Sequence, residues 1–278
     1  MSVQQVTKDV SKALGSIPGI VGVVLGGSRA RGTHRADSDI DIGIYYDESL
    51  DFDVNEVGKA ATSLDDEHGE NVVSSLGEWG EWINGGGWII VHGYHVDLIF
   101  RDVNRVEQVI DDCLAGTVSA HYHTGHPHAY LNVMYMGEIS ICAILHDPTN
   151  QIATLQAKTI PYPQALQDAM VGYFMFEASF SLMFADDNVD KDDVSYVAGH
   201  CFRAVSCLNQ VLFAKNGEYR INEKKAVAMI NDFPVKPENY KQKVKRVFGL
   251  LSMNQQETRE GVELLRELIA DTERIVQV

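Results

Sequence analysis

Three aspartates are the residues of this chain best suited to chemistry. Asp39 and Asp41 are two residues apart in an extended segment, so their carboxylates point to the same side. At about 4 Å, two such charges repel each other by about 4 kcal/mol at an effective dielectric constant near 20, unless a cation lies between them. Asp97 lies in an otherwise apolar run, where a buried acid without a partner is costly. Because Mg²⁺ shares carboxylate ligands with substrate phosphates, the three acids predict a divalent-cation site that faces phosphate.

A glycine–serine turn precedes the aspartates. Gly26, Gly27 and Ser28 follow an apolar, β-branched run over 20–25 and begin a short polar segment. Glycine lets a backbone come close to a ligand, and N–H groups at the start of a helix favour phosphate oxygens. Taken alone, the glycine pair indicates an ordinary turn, and the Asp-x-Asp pair indicates a solvated strand edge. Their occurrence in order, together with Asp97, favours a site that binds a nucleotide tail.

Composition and charge limit the expected partners and location. The 278 residues include 23 Lys and Arg and 39 Asp and Glu, which gives a formal charge of −16. Nucleic-acid backbones need concentrated positive charge, so we expect no nucleic-acid partner and favour a neutral or cationic small substrate. We expect no membrane span and no secretion signal, because no apolar run is long enough. The cysteines form no CxxC pair and indicate thiols in a reducing cytoplasm: Cys113, Cys142, Cys201 and Cys207.

Hydrophobic periodicity separates the chain into two parts of different type. The first part alternates helix and strand signals, with a hairpin expected where His92-Gly93 joins two extended runs. Helices are predicted over 3–14, 54–66 and after Asp102, and strands over 20–25, 38–46, 71–76, 88–91 and 94–100. The second part carries helical patterns over 163–185, 191–215, 223–231, 237–252 and 255–277. The predicted fold class is α+β, with an N-terminal α/β domain that has a mixed sheet (1–155) and a C-terminal helical bundle (156–278).

The order of these motifs resembles a known family. A Gly-Gly-Ser turn, an Asp-x-Asp pair and a later strand acid resemble the nucleotidyltransferase superfamily typified by DNA polymerase beta, over roughly residues 15–105. Within it, the small bacterial antibiotic-modifying enzymes, which act on aminoglycosides or lincosamides and have a helical C-terminal domain, look most similar. The segments 145–148, 162–163 and 219–225 resemble the helical part of such proteins.

The resemblance implies a role for each motif residue. Gly27 and Ser28 match the phosphate-binding motif, so Ser28 is expected to contact the triphosphate. Asp39 and Asp41 match the metal-binding pair, and Asp97 matches the third acid, which completes the metal shell or deprotonates the acceptor. Two Mg²⁺ ions and a nucleoside triphosphate (NTP) donor are implied. Arg29 is a further candidate for the triphosphate, with a solvated loop charge as the alternative.

The function that this implies is a Mg²⁺-dependent transfer of a nucleoside monophosphate from NTP to a hydroxyl group, with release of pyrophosphate. A small-molecule acceptor, such as an antibiotic, is favoured because the chain is acidic and shows no basic track. Two alternatives stay open: protein-directed nucleotidylation of the antitoxin type, and a non-catalytic nucleotide-binding module. The acceptor, the preferred NTP and a homodimer through the helical part are also left open.

Three further features allow more than one interpretation. Glu138 is a weaker rival to Asp97 as the general base, because it lies in a polar gap among apolar residues. Three interpretations of the histidines over 121–128 stay open. We favour polar loop residues, then the lining of a substrate cleft, and then metal ligands. Aromatic residues spaced as on a helix are interpreted as core packing: Tyr173, Phe174, Phe176, Phe180 and Phe184.

Overall fold

The computed structural model describes residues 2–277, and within them residues 20–146 contain a five-stranded mixed sheet. The strands in chain order are β1 (Ile20–Leu25), β2 (Ile40–Tyr46), β3 (Gly86–Val91), β4 (Tyr94–Asp102), β5 (Ala120–His121), β6 (Tyr130–Leu131) and β7 (Ala143–His146). The order across the sheet is β3-β4-β2-β1-β7, and β5 pairs separately with β6. The strands β2 and β4 run parallel and the other neighbours antiparallel. The predicted mixed sheet is therefore confirmed.

Eleven α-helices lie before, between and after the strands in the described residues. In chain order they are α1 (Val3–Leu14), α2 (Gly27–Ala30), α3 (Val54–Leu64), α4 (Val103–Leu114), α5 (Val133–Ile141), α6 (Gln151–Thr159), α7 (Gln164–Asn188), α8 (Val194–Lys215), α9 (Ala226–Ile230), α10 (Tyr240–Leu250) and α11 (Gln255–Val276). After α6 the described chain is helical apart from its connections, which confirms the predicted α+β class with a helical C-terminal part. None of the helices in the described part is long and apolar enough to cross a bilayer.

The chain divides into two compact units. Unit 1 comprises Met1–Asp111 and Tyr135–Ile160, and unit 2 comprises Asp112–Met134 and Pro161–Val278. The chain thus leaves unit 1 within α4 and returns to it within α5. The predicted division at 155/156 takes no account of this excursion and stays a prediction.

The sheet of unit 1 presents one apolar face to α1. Ile40, Ile42 and Ile44 alternate along β2 and are fully buried. They belong to one core cluster with an i, i+4, i+8 stripe of α1, formed by Val6, Val10 and Leu14. Burying each such side chain contributes about 1.5–3 kcal/mol. This packing fixes which way β2 faces, and therefore turns Asp41 to the opposite side of the sheet.

The predicted hairpin is present, because β3 and β4 pair antiparallel on either side of a two-residue turn. His92 has φ +53° and Gly93 has φ +79°. Positive φ at both central residues gives the twist that suits a tight hairpin. The carboxylate of Asp66 accepts hydrogen bonds from the backbone N–H groups of both residues, at 2.9 and 2.7 Å. The hydrogen bonds to Asp66 therefore stabilise the turn in addition to the backbone conformation of its two central residues.

Two parts of the sheet differ from the sequence prediction. The predicted strand over 71–76 is wrong: it makes one isolated bridge, from Val73 to Gly87, and Asn71 has φ +57°, which ends extended structure. The strand β7 was not predicted. It has four residues, too few to show a periodic pattern, and it is defined by pairing with β1.

The core interpretation of the aromatic residues in α7 is largely wrong. Phe174 is buried, with 1% of its surface exposed. Tyr173, Phe176 and Phe180 are exposed instead. The spacing alone does not tell which side of a helix faces the core when both sides carry apolar residues.

Candidate active site

Asp41 and Asp97 lie side by side on adjacent strands. In the parallel register of β2 and β4, Asp41 is the direct partner of Asp97, between the pairs Ile40–Val96 and Ile42–Leu98. Those flanking residues are buried on the core face. Since side chains alternate along a strand, the two carboxylates share the opposite face, on strands about 4.8 Å apart. Asp39, which is exposed, lies just before β2 and two residues ahead of Asp41.

Burial and neighbouring charges raise the pKa values of Asp41 and Asp97. Burial raises the pKa of Asp41 to about 6, with further contributions from the charges of Asp97 and Asp39. Burial and the charge of Asp39 also raise the pKa of Asp97, while His95 opposes the shift. The charge of Asp39 therefore makes both Asp41 and Asp97 harder to ionise, and the charge of Asp97 has the same effect on Asp41. The group is an unfavourable set of like charges that a cation would relieve.

The glycine–serine turn approaches Asp41 closely. The backbone N–H of Gly26 donates to the carbonyl oxygen of Asp41 at 2.8 Å. Gly27 has φ +59°, and a Cβ atom at this position would overlap the Asp41 carboxylate. Ser28 follows within α2 and is half-buried. Only glycine lets the chain pass the carboxylate at this point, which places the start of α2 directly beside Asp41.

Arg29 ties the turn to the segment that carries Asp39. Its Nε donates to the carbonyl oxygen of Asp39 at 3.0 Å, and its Nη2 donates to the carbonyl oxygen of Ser38. Its positive charge also lowers the pKa of Asp41, against the larger effects that raise it. Arg29 therefore holds the two loops of the site together. Its contact with nucleotide stays a prediction.

Part of the chain matches a known protein family. Residues 7–111 match the family model of the nucleotidyltransferase domain. This part of the chain is similar to the nucleotidyltransferase domain, and the match supports an enzyme of nucleotidyl transfer. The matched range contains the glycine–serine turn and all three aspartates.

A solved structure gives a second and weaker comparison. The crystal structure of a nucleotidyltransferase-like protein from Exiguobacterium sibiricum is 9% identical to this chain, with a TM-score of 0.46. The alignment covers 99% of this chain and 78% of the other. No curated protein matches the sequence.

The three aspartates of the site suit a divalent cation in their chemistry. Asp39, Asp41 and Asp97 offer oxygen donors alone, which hard cations such as Mg²⁺ prefer. The anionic forms of Asp41 and Asp97 are penalised by burial and by like charge, so a bound cation would be stabilised there. Within residues 2–277, no group of three or more His, Cys, Asp or Glu side chains is drawn together as closely as a metal ion would hold them.

Glu138, the weaker candidate for a general base, forms an ion pair. Both of its carboxylate oxygens accept hydrogen bonds from Arg101 at 2.8 Å. The Arg101 side chain is 3% exposed and also lies 5.1 Å from the ring of Tyr135. Sequence reasoning missed this pair. The feature of the sequence that could have indicated the pair is Arg101, a cationic residue directly after an apolar run. A buried arginine requires an acidic partner from elsewhere in the fold.

We expect Glu138→Gln to lower stability and to leave the pH dependence of catalysis unchanged. The substitution deprives a buried guanidinium of its carboxylate, and breaking a buried pair typically costs about 3–5 kcal/mol. Thermal melting and the pH profile of transfer measure the two effects. The matched control is Glu81→Gln, because Glu81 pairs with Arg105 but is 74% exposed, and such pairs contribute below about 1 kcal/mol. Lost activity with an unchanged melting temperature would instead make Glu138 part of the chemistry.

The histidine stretch is anchored within unit 2. His126 Nδ1 lies 3.2 Å from a carboxylate oxygen of Glu223, whose other oxygen accepts from the backbone N–H of His128 at 3.3 Å. Burial raises the pKa of Glu223, but the hydrogen bond from His126 and the charge of Arg220 outweigh it, and the pKa falls to about 2. Burial lowers the pKa of His128 to about 4, so that ring is neutral at pH 7. These contacts tie the loop to the residues before α9.

Proposed function

We propose that this enzyme transfers a nucleoside monophosphate from an NTP to a hydroxyl group of a small molecule, with release of pyrophosphate. The observation that carries the proposal is the pairing of Asp41 with Asp97 beside Gly27, within a nucleotidyltransferase domain. The acceptor oxygen forms a bond to the α-phosphorus as the bond to pyrophosphate breaks. The proton of the hydroxyl group passes to a carboxylate or to solvent.

Each residue of the site has a role in this proposal. The turn at Gly27 and Ser28 binds the triphosphate through backbone N–H groups and the serine hydroxyl. Asp97 is the proposed general base, because its raised pKa makes it a better proton acceptor near neutral pH than an ordinary carboxylate. Asp39, Asp41 and Asp97 would hold Mg²⁺, which supplies charge neutralisation at the phosphates when bound. Arg29 keeps Asp39 in place through the backbone of residues 38–39.

The proposed acceptor is a neutral or cationic small molecule. The formal charge of −16 disfavours a polyanionic acceptor and attracts cations, which suits an amine-bearing antibiotic such as an aminoglycoside. A lincosamide-like acceptor is equally compatible with the family resemblance. The charge is a property of the whole chain, so it supports the class of acceptor and not one compound.

The proposal is tested by incubating the purified chain with Mg²⁺, each of the four NTPs and a panel of hydroxyl-bearing small molecules. Pyrophosphate release and mass spectrometry are the measurements, and Asp97→Asn is the matched inactive control. A mass gain of one nucleoside monophosphate on a small molecule is the expected result. The same gain on a protein would replace the small-molecule acceptor with a protein one. Nucleotide binding without pyrophosphate release, with any acceptor, would overturn transferase activity altogether.

A further inference from the structure

The middle of α7 carries an exposed apolar stripe in unit 2. Its four side chains, which we call the α7 stripe, are Tyr173 (45% exposed), Phe176 (68%), Phe180 (42%) and Met183 (46%). The residues between Asp168 and Asp186 include one charged residue, Glu177, and this residue pairs with Arg203 of α8. A helix face that is apolar and solvent-exposed over three turns is unusual in a chain in which 22% of the residues are charged.

The α7 stripe is part of a continuous aromatic surface. Phe176 stacks on Phe180 with ring centroids 5.7 Å apart, and Phe180 contacts Phe184 edge-on at 4.9 Å. The surface continues onto α8, where His200 stacks on Phe184 at 5.2 Å and contacts Tyr196 at 4.5 Å. These ring contacts restrict the side chains before any partner arrives. A surface ordered in advance loses less conformational entropy on association.

The exposed area is large enough to form the centre of an interface. With about 200 Å² for a fully exposed side chain of this size, the four residues expose roughly 400 Å². Each partner in a stable protein–protein interface contributes about 800 Å², with its apolar residues at the centre. The α7 stripe therefore supplies about half of the required surface, and the flanking residues would supply the rim.

The order of the stripe points to a second copy of the same chain. The spacings between its residues are three, four and three, which read the same in both directions. An antiparallel copy of α7 would therefore place Phe176 opposite Phe180 and Tyr173 opposite Met183, about a twofold axis level with residue 178. Such a contact is isologous and closes after two chains. Because two chains of charge −16 repel each other, an uncharged face is where they can meet.

We propose that the α7 stripe is a homodimer interface formed by antiparallel packing of two α7 helices. Sedimentation equilibrium of the full chain is expected to show a dimer, and Phe176→Glu is expected to raise the dissociation constant at least about 30-fold, as loss of a central hot spot does. The matched control is Met253→Glu, because Met253 is 79% exposed and lies outside the stripe. A wild-type chain that stays monomeric up to about 1 mM, the weakest affinity of interest, would overturn the proposal and leave the stripe to a different partner.

Cross-linking tests the antiparallel arrangement separately. The native cysteines are buried, so a short bismaleimide would react selectively with a cysteine introduced on the exposed face. Ser179→Cys lies near the proposed axis and is expected to give cross-linked dimer, whereas Tyr173→Cys lies opposite Met183 and is expected to give little. Equal cross-linking of both variants would contradict antiparallel packing. Neither result depends on transfer activity, so this proposal and the proposed function fail independently.

Discussion

Asp41→Asn is expected to abolish transfer and at the same time to make the metal-free protein more stable above pH 6. The carboxylate that the proposed cation needs is costly to ionise in the metal-free protein, because burial and two neighbouring acids raise its pKa to about 6. Loss of a metal ligand removes several kcal/mol of transition-state stabilisation, so transfer is expected to fall at least about 1000-fold. Gain of stability with loss of activity distinguishes a functional carboxylate from a structural one.

The pH dependence of that stability effect has a definite sign. The pKa of Asp41 in the folded state lies above its value of 3.8 in a model peptide, so the folded state binds this proton more tightly than the unfolded state does. Stability from this group is therefore greatest below pH 4, falls as the pH rises to about 6, and is constant above that. Ionised Asp41 costs roughly 3 kcal/mol, and asparagine at this position avoids the cost.

Thermal melts of wild type and Asp41→Asn in EDTA, from pH 4 to pH 8, test this effect. The difference in melting temperature is expected to be small at pH 4 and to grow until about pH 6. Asp187→Asn is the control, since this exposed carboxylate of α7 should change neither property. An Asp41→Asn enzyme with near wild-type turnover would remove Asp41 from the site.

Gly27→Ala is expected to cost most of the activity, and Gly32→Ala to cost little. Both glycines have positive φ, +59° and +76°, so each alanine carries a similar backbone strain of about 1–2 kcal/mol. They differ in their surroundings: a Cβ at Gly27 would overlap the Asp41 carboxylate, whereas a Cβ at Gly32 would meet no atom within 4 Å. The pair of variants therefore separates backbone strain from displacement of Asp41.

Melting temperatures and turnover of the two glycine variants are the measurements. Similar losses of stability with a much larger loss of turnover in Gly27→Ala are expected, because a displacement of about 1 Å at a reacting centre typically costs about 100-fold. Equal turnover in the two variants would show that the contact between the glycine turn and Asp41 does not matter for the reaction.

The candidate residues of the site could be predicted from the sequence because their signals are local. Gly27, Ser28 and the aspartate pair lie within fifteen residues of one another, and the alternation of β2 fixes the side to which Asp41 points. That Asp97 lies directly beside Asp41 is different. It depends on the register of two parallel strands more than fifty residues apart, which no local pattern determines.

Other elements were missed for related physical reasons. The strand β7 exists only because β1 offers it an edge, and its four residues carry no period of their own. The Arg101–Glu138 pair joins a strand to a helix thirty-seven residues later, so neither residue indicates the other in the sequence. On α7, apolar residues occupy both the buried and the exposed sides. Periodicity therefore identified the helix but could not show which side was covered.

The most direct test of the site is the binding of Mn²⁺, as a paramagnetic substitute for Mg²⁺, in the presence of α,β-methylene-ATP. Electron paramagnetic resonance titration measures the free ion for wild type, Asp41→Asn, Asp97→Asn and the Asp187→Asn control. We expect wild type and control to bind alike, and the two site variants to bind at least about 100-fold more weakly, since even outer partners of a metal ligand contribute 10–100-fold. Unchanged Mn²⁺ affinity in both Asp41→Asn and Asp97→Asn would contradict a cation site built by these paired strands.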